Sequence, residues 1–179
     1  MGKLRFLLLD ANVVFQLFEV GLWKRVAEKC EILLSRTIIE SEIKYYRGKQ
    51  SDRRIDLSDD VQAGHVRVVD VEAGELRAFL QRFDPVYLEK LDPGETEALA
   101  YLLSSQDPCL LCSSDKIVYR VLARVGREDQ GISLEEVLAK VGLGRALPPQ
   151  FSKAFRDRWT QKGREERIRG IGLKGKAAH

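Results

Sequence analysis

Short, nearly continuous apolar runs alternate along this chain with stretches whose apolar residues return every three or four positions. Leu4 to Leu9 carries one charge, Arg5, and stops at Asp10, a pattern that predicts a strand buried on both faces of a parallel sheet. Val13, Val14, Leu17 and Phe18, then Leu22, Trp23 and Val26, follow at helical spacing and predict one helix or two short ones. Ile32 to Leu34 reads as a second short strand. After it, Ser35 or Thr37 can cap a helix carrying Ile38, Ile39, Ile43 and Tyr46. Gly48 to Gly64 is polar and predicts a loop with a weak helix.

The β-branched run Val66 to Val71 predicts a further strand, and Ala73 to Phe83 returns to helical spacing. Asp92-Pro93-Gly94 is turn chemistry leading into a helix over Glu95 to Leu103. Cys109 to Cys112, after Asp107-Pro108, predicts another buried strand, and Asp115 to Ala123 another helix. Ser133 to Val141 predicts one more, capped at Ser133 with Glu136 at the capping-box spacing. Strands alternating with helices imply βαβ units, hence an α/β fold with a parallel central sheet flanked by helices.

At 179 residues, with 44% hydrophobic and 32% charged positions, the chain suits one well-buried domain and an appendage, and excludes collagen-like or wholly disordered classes. No apolar run approaches the ~18 residues of a membrane span, and three cysteines form no plausible disulfide framework, so a cytoplasmic location is expected. The net charge of +3 hides an asymmetry. Residues 145 to 179 hold ten Lys or Arg against Asp157, Glu165 and Glu166, a net +7, which leaves residues 1 to 144 at −4. The expected organisation is therefore a domain over 1–145 and a basic C-terminal helix and flexible tail over 146–179.

In open α/β sheets ligands bind beyond the carboxyl ends of the strands, and there the sequence places acids. Asp10 ends the first strand, Asp115 follows the strand ending at Cys112, and Glu95 and Glu97 open the helix after the Pro-Gly turn. Glu42 lies about a turn and a half into the helix after the second strand. Asp115 and Glu95 taken singly are ordinary helix N-terminal acids, and Glu42 an ordinary solvated position. Asp10 differs, because a carboxylate ending an apolar strand is costly to bury alone. Gathered carboxylates repel, so the group either holds protons or binds a cation. Hard oxygen ligands without a Cys or His cluster favour Mg²⁺ or Mn²⁺, and such ions support phosphodiester hydrolysis.

Four segments then resemble the PIN domain family in order: L-L-L-D-A-N with Asp10 and Asn12, T-I-I-E-S-E-I with Glu42, D-P-G-E-T-E-A-L-A with Glu95, and L-L-C-S-S-D-K with Ser113 and Asp115. The third holds Glu where the family more often has Asp. The resemblance spans most of residues 4 to 140 and implies a PIN-like three-layer fold. It implies a Mg²⁺- or Mn²⁺-dependent ribonuclease whose metal-binding acids are Asp10, Glu42, Glu95 and Asp115, with Asn12 and Ser113 as polar support and Glu97 able to share or take the role of Glu95. It further implies single-stranded or structured RNA as substrate, the toxin role of a toxin-antitoxin pair with an antitoxin protein as partner, and a homodimer.

Other features carry plainer expectations. Cys109 and Cys112 have C-x-x-C spacing, but only Cys30 remains to complete a metal site, so buried structural thiols are expected. His65 suits the surface or a strand edge, and His179 a frayed terminus. Gly170, Gly172 and Gly175, among Arg169, Lys174 and Lys176, lack the strand and helix of a phosphate loop and read as a basic tail. Phe151, Phe155 and Trp159 recur every four residues between basic positions: the stripe either docks on the domain or a second copy, or belongs to an RNA-contacting helix. The competing function class is a non-catalytic nucleic-acid-binding or assembly module that uses this basic segment. An aspartyl-phosphate phosphatase ranks lower, since position 12 is Asn where such enzymes carry a second Asp.

Overall fold

The apolar run at the N-terminus forms the middle of a five-stranded sheet, in a computed structural model that describes residues 4–43, 54–106, 108–172 and 174. The strands are β1 (Leu4–Leu9), β2 (Cys30–Ser35), β3 (Val66–Val69), β4 (Leu110–Cys112) and β5 (Gly131–Ile132). Their order is β3-β2-β1-β4-β5, and every neighbouring pair is parallel. The helices are α1 (Ala11–Glu19), α2 (Trp23–Lys29), α3 (Ser58–Gln62), α4 (Ala73–Leu80), α5 (Pro85–Leu88), α6 (Pro93–Ser104), α7 (Lys116–Arg124), α8 (Leu134–Lys140) and α9 (Lys153–Ile168).

Alternation along the strands divides the core between the two faces of the sheet. Leu9, Ile32, Leu34 and Cys112 pack on one face with Val13 and Leu17 of α1, Val26 of α2 and Val137 and Leu138 of α8. Leu8, Leu33 and Leu111 pack on the other with Phe79 of α4, Leu99 and Leu102 of α6, and Val118 and Leu122 of α7. The fold is thus α/β with helices on both sides of a parallel sheet, as the strand pattern predicts. The chain crosses one way from β1 to β2 and β3 and the other way to β4 and β5, so the switch point lies between β1 and β4.

Local differences have local causes. β5 was not expected, because two residues carry no periodicity, and α5 is a four-residue helix begun by Pro85. α6 starts at Pro93 and not after the Pro-Gly pair: Asp92 is its N-cap and Glu95 closes a capping box on the Asp92 N–H at 3.1 Å. The Ser35 hydroxyl accepts from the Ile38 N–H at 3.3 Å, as a cap, and Ile38–Glu42 winds as a π-helical turn. Tyr46, the polar stretch from Gly48 to Arg53, Asp107, Gly175, Lys176 and His179 lie outside the described residues. All three cysteines are buried and in no disulfide, and His65 sits at the edge before β3 with Nδ1 3.5 Å from Asp60. Among the described residues no helix is long and apolar enough to cross a membrane.

The C-terminal helix is built into the body. Thr160, Gly163 and Glu166 of α9 are buried on α7, and a Cβ at Gly163 would stand 2.5 Å from the Arg120 carbonyl oxygen, so only glycine lets the helices approach this closely. Phe151 is buried, and Phe155 packs edge-on against Tyr119 with ring centroids 6.4 Å apart. The expected flexible tail is seated where it is described: the Asp84 N–H donates to the Gly172 carbonyl at 2.8 Å, and the Lys174 N–H to the Arg82 carbonyl at 3.3 Å.

One buried ionic cluster clasps α9 to α7. The Glu166 carboxylate accepts from Arg120, from Arg124 Nη1 at 3.4 Å and from the Tyr87 hydroxyl at 3.2 Å, and the Arg124 guanidinium lies 4.6 Å over the Tyr87 ring. Burial alone would raise the Glu166 carboxyl, but the Arg120 hydrogen bond and charge outweigh it and hold the group below its ordinary value. A carboxyl held low stabilises the fold above the pKa of the unfolded chain, and that stability is lost as pH falls through the folded value. Glu166→Gln, which leaves the Arg124 charge buried without its partner, is expected to cost about 3 kcal/mol at neutral pH in urea unfolding, with the gap to the wild type closing in acid. A cost that stays the same in acid would show that the carboxylate charge is not what holds the helix.

Candidate active site at the carboxyl end of the sheet

Three helices aim their N-termini at the switch-point crevice, and each carries an acid there. Asp10 is the N-cap of α1, with Oδ1 accepting from the Val13 N–H at 2.8 Å. Asp115 is the N-cap of α7, accepting from the Ile117 N–H at 2.9 Å. Asp92 caps α6, with Glu95 two positions inside the helix start. Capping accounts for each acid singly. It does not account for their convergence: Asp10, Glu42, Asp92 and Glu95 all line one open cavity of ≈ 590 Å³, together with Asn12, Phe15, Thr37 and Ser41.

Asp10 is the hub. Although buried, it spends Oδ2 on the Ser113 hydroxyl and on the Ser114 N–H at 3.1 Å, which ties the end of β1 to the end of β4. Ser113 in turn accepts from the Asp115 N–H at 2.9 Å, so one buried hydroxyl sets the relative places of two of the predicted acids. Glu42 reaches the cavity from the π-helical turn, where Oε1 accepts from the Gly94 N–H at 2.9 Å at the start of α6. A Cβ at position 94 would meet that carboxylate oxygen at 2.6 Å. Gly94 is therefore the seat of Glu42, a close approach that explains the Pro-Gly pair better than a turn does.

The electrostatics follow from burial and crowding. Burial raises the Asp10 carboxyl above its ordinary value and Asp115 adds to the rise, against the hydrogen bonds from Ser113, Val13 and Ser114. Glu42 is raised by burial and by Asp92, Asp10 and Glu97, against the Gly94 hydrogen bond. Glu95 is pushed up to about 8, chiefly by burial and further by Asp115, Asp10 and Asp92. The described lining of the cavity includes no Lys or Arg to offset this charge. Hard oxygen donors around uncompensated negative charge suit a divalent cation such as Mg²⁺ or Mn²⁺. The side chains are not, however, drawn together on one point: among the described residues no three His, Cys, Asp or Glu form a ready metal-binding group. Each carboxylate leans instead on a backbone N–H.

The predicted residues divide accordingly. Asp10, Asn12, Glu42 and Glu95 line the cavity, and Asp115 joins them through Ser113 and through its charge on Asp10 and Glu95. Glu97 does not line it. Its Oε2 accepts from the Thr37 N–H at 3.1 Å, and it borders an adjoining hollow with Leu76, Leu80 and Leu91. Asp92 was missed, although D-P-G-E has the cap-to-N3 spacing that would have marked it. Comparison of the chain with protein-family models, with curated proteins and with solved structures gives no match.

A raised carboxyl makes the fold less stable as pH climbs from the value of the unfolded chain towards the folded one, here from about 4.5 to about 8 for Glu95. In EDTA, Glu95→Gln is expected to match the wild type in acid and to exceed it by at least about 1 kcal/mol near pH 8. Urea unfolding across that range checks this. A wild type that stays level with the variant up to pH 8 would mean that Glu95 ionises without cost.

Proposed function

We propose that the chain is a PIN-like, Mg²⁺- or Mn²⁺-dependent ribonuclease hydrolysing RNA phosphodiester bonds. The observation that carries this reading is the cavity at the sheet switch point, lined by four carboxylates with no basic residue in its described lining. Asp10, Glu42, Glu95 and Asp115 would hold the cation, with Asp92 added from the cavity. A divalent cation bound there supplies a Lewis acid for the phosphoryl oxygens and lowers the pKa of water into the neutral range.

The chain's own residues do the rest. Ser113 orients Asp10 and anchors the Asp115 backbone, and Gly94 seats Glu42. Asn12, exposed at the start of α1, and the Thr37 and Ser41 side chains, which line the same cavity, offer donors to phosphate oxygens. Without a cation, Glu95 retains its proton near neutral pH and limits the repulsion inside the cavity. The toxin role, an antitoxin partner and a homodimer belong to the same reading and rest on the PIN resemblance alone.

A non-catalytic nucleic-acid-binding module is favoured by one observation, that each of Asp10, Glu42, Glu95 and Asp115 already has a backbone donor. Cleavage of labelled single-stranded and hairpin RNAs with Mn²⁺, Mg²⁺ or EDTA separates the two. Metal-dependent cleavage that disappears in Asp10→Asn is expected, and Ser113→Ala is expected to lower metal affinity or activity about 10- to 100-fold. Cleavage that survives in Asp10→Asn, or RNA binding without any cleavage, would sink the nuclease reading.

A further inference from the structure

At the N-terminal end of α7, next to Asp115, lies a small basic patch with an aromatic centre. α9 runs along α7 in the same direction: Trp159 meets Lys116, Gly163 meets Arg120 and Ala123, and Glu166 meets Arg120 and Arg124. This pairing brings Trp159 to the N-terminal end of α7, the end capped by Asp115. There the Lys116 ammonium stands 5.5 Å from the centroid of the Trp159 ring and the Arg158 guanidinium 5.2 Å from it.

Most other cations of α9 are neutralised. Lys153 pairs with Asp157, Arg156 with Glu136 and Asp157, Lys162 with Glu165, and Arg164 and Arg167 with Glu128. Lys116 and Arg158 pair with no described carboxylate; both are exposed, and their partner is the half-buried indole between them. Ring-held cations are loosely held, and a phosphate competes for them with full charge while a base takes over the ring face.

We propose that Lys116, Arg158 and Trp159 form a platform for the single RNA strand running to the acidic cavity, one base stacking on Trp159 and two neighbouring phosphates pairing with the cations. This rests on the nuclease reading for the identity of the strand. A single strand is the occupant because the indole can receive only an unstacked base, which a duplex does not offer. The platform also answers an electrostatic need. The cavity repels phosphates while it lacks a cation, and positive charge one residue beyond Asp115 holds the strand at its edge.

The test is binding of a labelled 12-nucleotide single-stranded RNA to the full chain in EDTA, followed by anisotropy over a range of salt. Lys116→Gln with Arg158→Gln, two exposed changes that spare the core, is expected to weaken binding about tenfold at low salt and to flatten the slope of log K on log salt by about 1.4, two contacts at about 0.7 each. Trp159→Ala is expected to lose about 5- to 100-fold, and Trp159→Phe to recover much of it. Lys24→Gln with Arg25→Gln, on α2, is the control and is expected to leave binding unchanged. An unaltered affinity and slope in the Lys116 and Arg158 variant, an equal loss in the control, or no binding by the wild type overturns the platform. Cleavage with Mn²⁺ is read in parallel. Platform-dependent binding without cleavage overturns the nuclease reading alone, and metal-dependent cleavage with platform-independent binding overturns the platform alone.

Discussion

A carboxylate buried at the end of an apolar strand is the constraint on which this end of the molecule depends. Asp10 has almost no contact with solvent, and its charge is tolerable only because three donors from three places meet it: the Val13 N–H, the Ser113 hydroxyl and the Ser114 N–H. An unpaired carboxylate there would cost several kcal/mol or hold its proton. Pairing it requires β1 and β4 to be adjacent and to end level, since Leu9 pairs with Cys112 and the Asp10 N–H donates to the Cys112 carbonyl at 3.2 Å. The sheet order and the position of the crevice thus serve one buried charge.

The other acids are brought in by the same kind of bargain between helix ends and carboxylates. The helix N-termini offer unsatisfied N–H groups and partial positive charge, and acids satisfy them. When several such ends converge, each acid is stabilised by its own helix and destabilised by its neighbours. Glu95 shows the balance: its capping bond to the Asp92 N–H does not prevent burial and three nearby carboxylates from pushing it up to about 8. Local helix chemistry alone would leave Glu42 and Glu95 near or below their usual values, so the rise reflects burial first and the crowding of neighbouring carboxylates second.

Much of this was legible in the pattern of residues, and the failures are physical. Short, nearly continuous apolar runs made β1, β2 and β4 readable and β-branched density made β3 so, while two-residue β5 is held by its neighbours and not by its own pattern. The choice between Glu95 and Glu97 was open in the sequence, although two helix positions differ in direction by about 200°. Both could not face one cavity; the capping box of Asp92 turns Glu95 inward and leaves Glu97 to the Thr37 N–H. The seat of Glu42 was beyond reach, because it depends on the contact of residue 42 with residue 94, a distant pair that no local pattern encodes.

The C-terminal segment looks separable by charge, yet its packing makes it part of the scaffold that holds Asp115. α7 starts at the site and ends at Arg124, a guanidinium buried against Tyr87 and Glu166, and α9 supplies that glutamate. The glycine at 163 sets the helices close enough for the pair to form, and Arg156 of α9 reaches Glu136 at the start of α8 with contacts of 2.8 and 3.0 Å. α9 therefore spans the two helices that follow β4 and β5 and fixes where their N-termini lie. Its excess of positive charge is spent mostly on acids of the body, which is how an acidic domain and a basic helix become one structure, while Arg158 is left on the Trp159 ring at the end of α7 that Asp115 caps.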